Sequence, residues 1–165
     1  MGLDQKLRRD RVVFYERDIT RFDGELDGFL ELSCARSALL IDKDGHLVTR
    51  RGETEDKNIE SICALVAGSF AATKELARLM GEDQFNTLYH QGGRDSMQIS
   101  LVANQALLAL VFDDRTSLGL VKYYSVESIK RIEDILKEIE ARVGETESLS
   151  SDFGTSAAAA LDRLF

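Results

Sequence analysis

Several stretches of the chain carry residue types that do chemistry elsewhere, and their spacing decides what they can do here. "DFG" at 152–154 matches a kinase tripeptide, but no Gly-rich loop and no catalytic HRD accompany it, so the match is chance. "DKDG" at 42–45 begins like a calcium loop, yet His46, Leu47 and Val48 cannot continue the series of oxygen ligands. No GxxxxGK[ST] phosphate loop is present. His46 and His90 have no metal-ligand spacing to each other or to Cys34 and Cys63. Nothing like a nucleophile elbow holds Ser, His and Asp together. These residues point to no active site, no metal and no cofactor. The two cysteines are solitary in apolar settings and read as buried, reduced thiols of a cytoplasmic protein.

Composition narrows the class further. A chain of 165 residues with 44% hydrophobic content fits one globular domain with room for a tail. No segment approaches the unbroken apolar length of a membrane span. The start lacks an apolar h-region, so secretion is not expected, and Lys6 stands where a myristoylation signal needs Ser or Thr. A net charge of -8 argues against nucleic acid as the main partner. Residues 1–11 hold four basic and two acidic groups, whereas 144–165 hold four acidic groups and one arginine.

The elements follow from periodicity. Phe14, Ile19, Phe22, Leu26, Phe29 and Leu30 space out an amphipathic helix over about 15–33. "SALLID" (37–42) and "HLVTRR" (46–51) form a hairpin about a tight turn in which Gly45 takes φ > 0. A helix over about 58–80 ends at Gly81. Strands follow at 87–91, 95–102 and 106–113, the last a nearly continuous apolar run suited to a centre covered on both faces. Thr116 or Ser117 caps a last long helix to about 142, with Leu118, Val121, Ile129, Ile132, Ile135, Leu136 and Ile139 inward. The expected fold is α+β, in the order α-β-β-α-β-β-β-α, with a five-stranded, mainly antiparallel sheet flanked by helices. In domain terms, 1–13 is a basic segment, 14–142 the folded domain, 143–155 an acidic flexible linker and 156–165 a short helix.

One element has an unusual surface. In "ICALVAGSFAATKELARLMGE" (62–82), Ile62, Leu65, Val66, Phe70, Leu76 and Met80 read as the core stripe. The opposite side carries Ser61, Ala64, Ala67, Gly68, Ala71 and Ala72, and only then Glu75 and Arg78. Solvated faces are usually long and charged. Gly in mid-helix is worse than Ala by roughly 0.5–1 kcal/mol. Either another element of the same chain packs on this face or a second molecule does; small side chains let a second backbone approach closely, which favours the intermolecular contact.

"ALLIDKDGHLV", "LVAGSFAATKELARLMGE", "YHQGGRDSMQISLV" and "LLALVFDDRTSLGLVK" resemble the Roadblock/dynein-light-chain superfamily, continuously over about 12–142, and within it the bacterial MglB type. The resemblance implies a homodimer with the central helices side by side and the sheets joined at edge strands. Ala67, Thr87, Leu88, Tyr89, His90 and Gln91 would form that interface. It implies a platform for one small Ras-like GTPase of the MglA type, made by Ala64, Gly68, Ala71, Ala72 and Glu75, Glu75 being a departure because that position can be small. It further implies that the chain has no chemistry of its own, accelerates GTP hydrolysis by its partner and sets which cell pole the partner occupies. Leu161, Leu164 and Phe165 of the terminal helix would dock on the GTPase. The alternatives are a dimeric scaffold that recruits a GTPase or motor without stimulating hydrolysis, and a small-molecule sensor. No polar cluster converges on a pocket to favour the latter.

Overall fold

The apolar run at 106–112 lies, as its composition demands, in the middle of a five-stranded sheet. A computed structural model describes residues 14–53 and 57–164. The order is α1 (Glu16–Ser33), β1 (Ser37–Asp42), β2 (Leu47–Gly52), α2 (Ile59–Leu79), β3 (Thr87–Gln91), β4 (Ser96–Val102), β5 (Ala106–Phe112) and α3 (Leu118–Leu164). Every strand pair is antiparallel, and the strand order is β2-β1-β5-β4-β3, which leaves β2 and β3 at the edges. The chain divides into two units, Tyr15–Ile135 and a second whose described part is Phe14 with 136–164.

Period-2 alternation sorts the side chains of the first unit between two layers. Leu39, Ile41, Ile99, Leu107 and Ala109 face α2 and pack with Cys63, Val66 and Phe70. Phe70 continues this layer through a tilted ring contact with Phe85, centroids 5.0 Å apart. On the other side of β1, β5 and β4, Ala38, Leu40, Leu108, Leu110 and Val102 are buried. Phe22, Leu26 and Phe29 of α1 and Val121 of α3 are buried as well. Gln98 anchors α3 over β4, its Nε2 donating to Ser125 Oγ at 3.0 Å and to Ser100 Oγ at 3.1 Å.

Turn chemistry carries the connections. Asp42 Oδ1 accepts from the backbone N–H groups of Asp44 and His46, both at 2.9 Å, and Gly45 sits at φ +88°. Gly81 at φ +80° closes α2, with the Glu82 N–H reaching back to the Ala77 carbonyl at 2.8 Å. Ser117 Oγ accepts from the Leu120 N–H at 3.3 Å at the start of α3. At one end of the sheet Arg115 bridges Asp113 and Glu53, and Arg36 donates to Asp95 at 2.9 Å.

Four features differ from the sequence reading. Cys34 is exposed, because it ends α1 in the left-handed conformation at φ 58°; Cys63 is buried. Leu118 is exposed at the first turn of α3. The buried arc of α2 is Cys63, Val66 and Phe70, whereas Ile62, Leu65, Leu76 and Met80 are exposed. Residues 143–155 are helical and do not form a break, so α3 runs for 47 residues. The chain contains no proline to stop it, and Gly144 and Gly154 each cost a helix only about 1 kcal/mol. Periodicity is weak there because described side chains such as Leu149 bury little, not because the backbone is irregular.

Candidate protein-docking face

α2 is an amphipathic helix with an apolar solvent face. Its single buried arc satisfies the sheet, and Leu65, Leu79 and Met80 are each at least 70% exposed. Beside these lie Ser61, Ala64, Gly68, Ala71, Ala72 and Glu75, all exposed. Among the described residues nothing lies within 4 Å of where a Cβ on Gly68 would stand, so they give no packing reason for that glycine. The N-terminal part of the small-residue strip does have one. A Cβ on Gly45 would come within 3.2 Å of Ala64 Cα and 3.4 Å of Ala67 Cβ, so the β1–β2 turn needs small residues at both positions. Ala67 is half-buried against the core and does not share the open face with Gly68, Ala71 and Ala72.

Glu60 and Lys74 are exposed charges on α2 as well, and at the C-terminal end of the small-residue strip Glu75 and Arg78 form a pair. Arg78 Nη2 donates to Glu75 Oε1 at 2.6 Å, and Arg78 Nε reaches both Glu75 oxygens at 3.0 and 3.1 Å. The contact holds the Glu75 carboxyl below the usual carboxylate range and raises Arg78. Both side chains are exposed, so the pair holds a geometry more than it adds stability.

The edge strand β3 flanks the helix. Register places Leu88 opposite Ile99 and His90 opposite Met97, on the α2 side, while Thr87, Tyr89 and Gln91 belong to the other side. The five positions read together as one interface strand are thus divided between two sheet faces. Between β3 and α2 lies a groove of about 240 Å³ lined by Ile62, Leu65, Val66, Leu88, Met97 and Ile99. Its two polar members are Ser69 and His90. The sequence reading missed the α2 side of this groove because it put Ile62 and Leu65 in the core. The i, i+3, i+7 spacing of Cys63, Val66 and Phe70 was the signal that could have set the phase.

The remaining candidates are placed as follows. Leu161 is exposed on α3 in the second unit, Leu164 is the last residue of that helix, and Phe165 lies outside the described residues. Asp42, Asp44 and His46 bring one potential ligand atom each within 4.8 Å of one another. Asp42 Oδ1 is already committed to turn backbone, and Oδ2 lies 3.4 Å from His46 Nδ1. Among the described residues no helix is long and apolar enough to cross a membrane.

Among the described residues, an antiparallel sheet with one helix on one face and two on the other, the single helix apolar to solvent beside an edge strand, is a fold of the Roadblock class. The Roadblock/LC7 domain matches residues 23–112, more than half of the sequence, and the chain belongs to that family. It is 33% identical to the gliding protein MglB of Thermus thermophilus, with a TM-score of 0.71 over 76% of this chain and 96% of that one. Against Myxococcus xanthus MglB the values are 32%, 0.71, 77% and 96%. An MglB with a tetrameric arrangement gives 33%, 0.71, 77% and 96%. No curated protein sequence matches significantly.

Proposed function

We propose that this chain is a homodimeric regulator of a small Ras-like GTPase of the MglA type. In this reading two copies place their α2 helices side by side and join their β3 edges. The paired strips of Gly68, Ala71 and Ala72, with Ala64 and Glu75 at the ends, receive one GTPase. Leu161, Leu164 and Phe165 add a second contact to it. The dimer supplies no reactive group; it holds the partner's switch segments in the hydrolytic arrangement, so activation is a population shift limited by differential affinity for the active form. The process served is cell polarity or motility in the cytoplasm, in keeping with the Thermus thermophilus relative described as a gliding protein.

One observation carries the reading. A helix spends its solvent face on Leu65, Gly68, Ala71, Ala72, Leu76 and Leu79 in a chain that is 30% charged. Exposed apolar surface beside an unpaired edge strand is what an association surface requires and what a free monomer avoids.

Two measurements test it. Light scattering at tens of micromolar should give the mass of a dimer; a monomer would remove the platform. Single-turnover GTP hydrolysis by an MglA-type GTPase should then accelerate with added dimer. Binding without acceleration would leave the scaffold reading.

A further inference from the structure

On the side of the sheet away from α2, the first three turns of α3 are seated differently from the turns that follow. Of the apolar residues from Leu118 to Val126, only Val121 is buried. Tyr124 is half-buried, and Leu118, Leu120, Tyr123 and Val126 are exposed. The other buried positions in these turns are polar, Ser125 and Ser128. Ser125 meets Gln98 of β4, which is only 2% exposed and spends both Nε2 protons on Ser125 Oγ and Ser100 Oγ. The Ser125 hydroxyl donates its own proton to the Lys122 carbonyl at 2.9 Å, within α3. Gln98 Oε1 thus receives no proton from Ser125, and among the described residues it has no hydrogen-bond partner. From Arg131 onward the seating changes. Ile132 and Ile135 are buried, Arg131 pairs with Glu25 of α1 at 3.5 Å, and Glu133 accepts from the Ala103 N–H at 3.3 Å.

We propose that residues 118–129 form a hinged flap: these three turns leave β4 together, pivoting where Ile132 is seated, while the sheet and α1 stay folded. The inference is independent of the dimer reading, which concerns the opposite side of the sheet. Opening exposes one fully buried aliphatic side chain, Val121, and leaves Ile132 and Ile135 in place. Each large aliphatic side chain that an opening spares makes it about 10- to 100-fold more frequent. Water completes the hydrogen bonding of Gln98 Oε1, whose burial without a partner weighs against the closed state. Ser125 keeps its bond to the Lys122 carbonyl in both states, because both groups travel with the helix. Ordinary fraying touches one or two terminal residues. The flap extends as far as the polar seam does.

Native-state amide hydrogen exchange on the full chain tests this. The amides of Tyr123 to Ile129 should be protected about 100-fold less than those of Leu107 to Val111 in β5, which is paired on both sides. They should share one opening, with little dependence on denaturant below the unfolding transition. Equal protection of the two sets overturns the flap, and so does weak protection confined to residues before Tyr123, which is fraying. Combining Gln98→Leu with Ser125→Ala makes the seam apolar and removes the unpartnered carbonyl. The gap between the two sets should then narrow by about tenfold. An unchanged gap overturns the role of Gln98. The exchange of the unmodified chain decides the flap by itself, whether or not the double variant folds.

Discussion

Gly68→Ala separates what α2 does for the monomer from what its surface does for a partner. Gly68 is interior to a 21-residue helix, exposed, with no atom of the described residues within 4 Å of an added Cβ. Alanine there meets no obstacle and recovers the helix penalty of glycine, about 0.5–1 kcal/mol. In a chain of this size that raises the melting temperature by roughly 1–4 °C. Docking should respond in the opposite direction. A methyl inserted where two backbones approach closely costs typically 1–3 kcal/mol, which is about a 5- to 150-fold loss of affinity. Gly28→Ala on α1 is the control, since Gly28 is also helical and exposed with nothing within 4 Å. It should show the same stability gain and bind normally. The assays are a thermal melt and a fluorescence titration of an MglA-type GTPase loaded with a non-hydrolysable GTP analogue. If Gly68→Ala were more stable and bound as tightly as the unmodified chain, close approach at this glycine would be refuted.

Ala71→Arg, at an exposed position, should preserve the fold by circular dichroism and abolish GTPase binding through bulk and an uncompensated charge on an apolar face. Arg78→Ala should slow association only a few-fold in stopped-flow mixing, because Glu75 already engages the guanidinium; a drop of about a thousandfold in the saturated hydrolysis rate would instead establish an arginine finger. Removing residues 145–165 should leave the dimer mass unchanged while weakening GTPase binding or altering nucleotide exchange, and indistinguishable affinity and exchange would deny the tail a role. Arg115 holds Asp113 and Glu53 below their ordinary values of 3.8 and 4.5. Carboxyls lowered in the folded state stabilise it above those values and lose that contribution as pH falls through the folded-state ones. Denaturant midpoints of Arg115→Gln should therefore fall below those of the unmodified chain at neutral pH and converge with them below the ordinary carboxylate range.

Much of the fold was legible because it rests on local rules. Asp42 and Gly45 make the β1–β2 turn by their own hydrogen bond and positive φ, Gly81 closes α2, and Ser117 caps α3. Continuous apolar content identified β5 as central, because a strand covered on both faces cannot alternate. The small-residue strip of α2 was visible for the same reason, since side-chain size needs no tertiary information.

Which apolar side of α2 is buried was decided only by tertiary structure. Apolar residues occupy more than half of its circumference, so periodicity allows several rotations about the helix axis. The sheet engages Cys63, Val66 and Phe70, and the Gly45 turn closes on Ala64 and Ala67, which together leave Leu65, Leu76 and Met80 in solvent. The groove at His90 exists only once that rotation is set. The two-sided division of β3 likewise follows from its register with β4. The length of α3 marks the same boundary in reverse. Amphipathic periodicity reports a face that is buried, so where little is buried the pattern fades while backbone hydrogen bonding and the absence of proline allow the helix to continue.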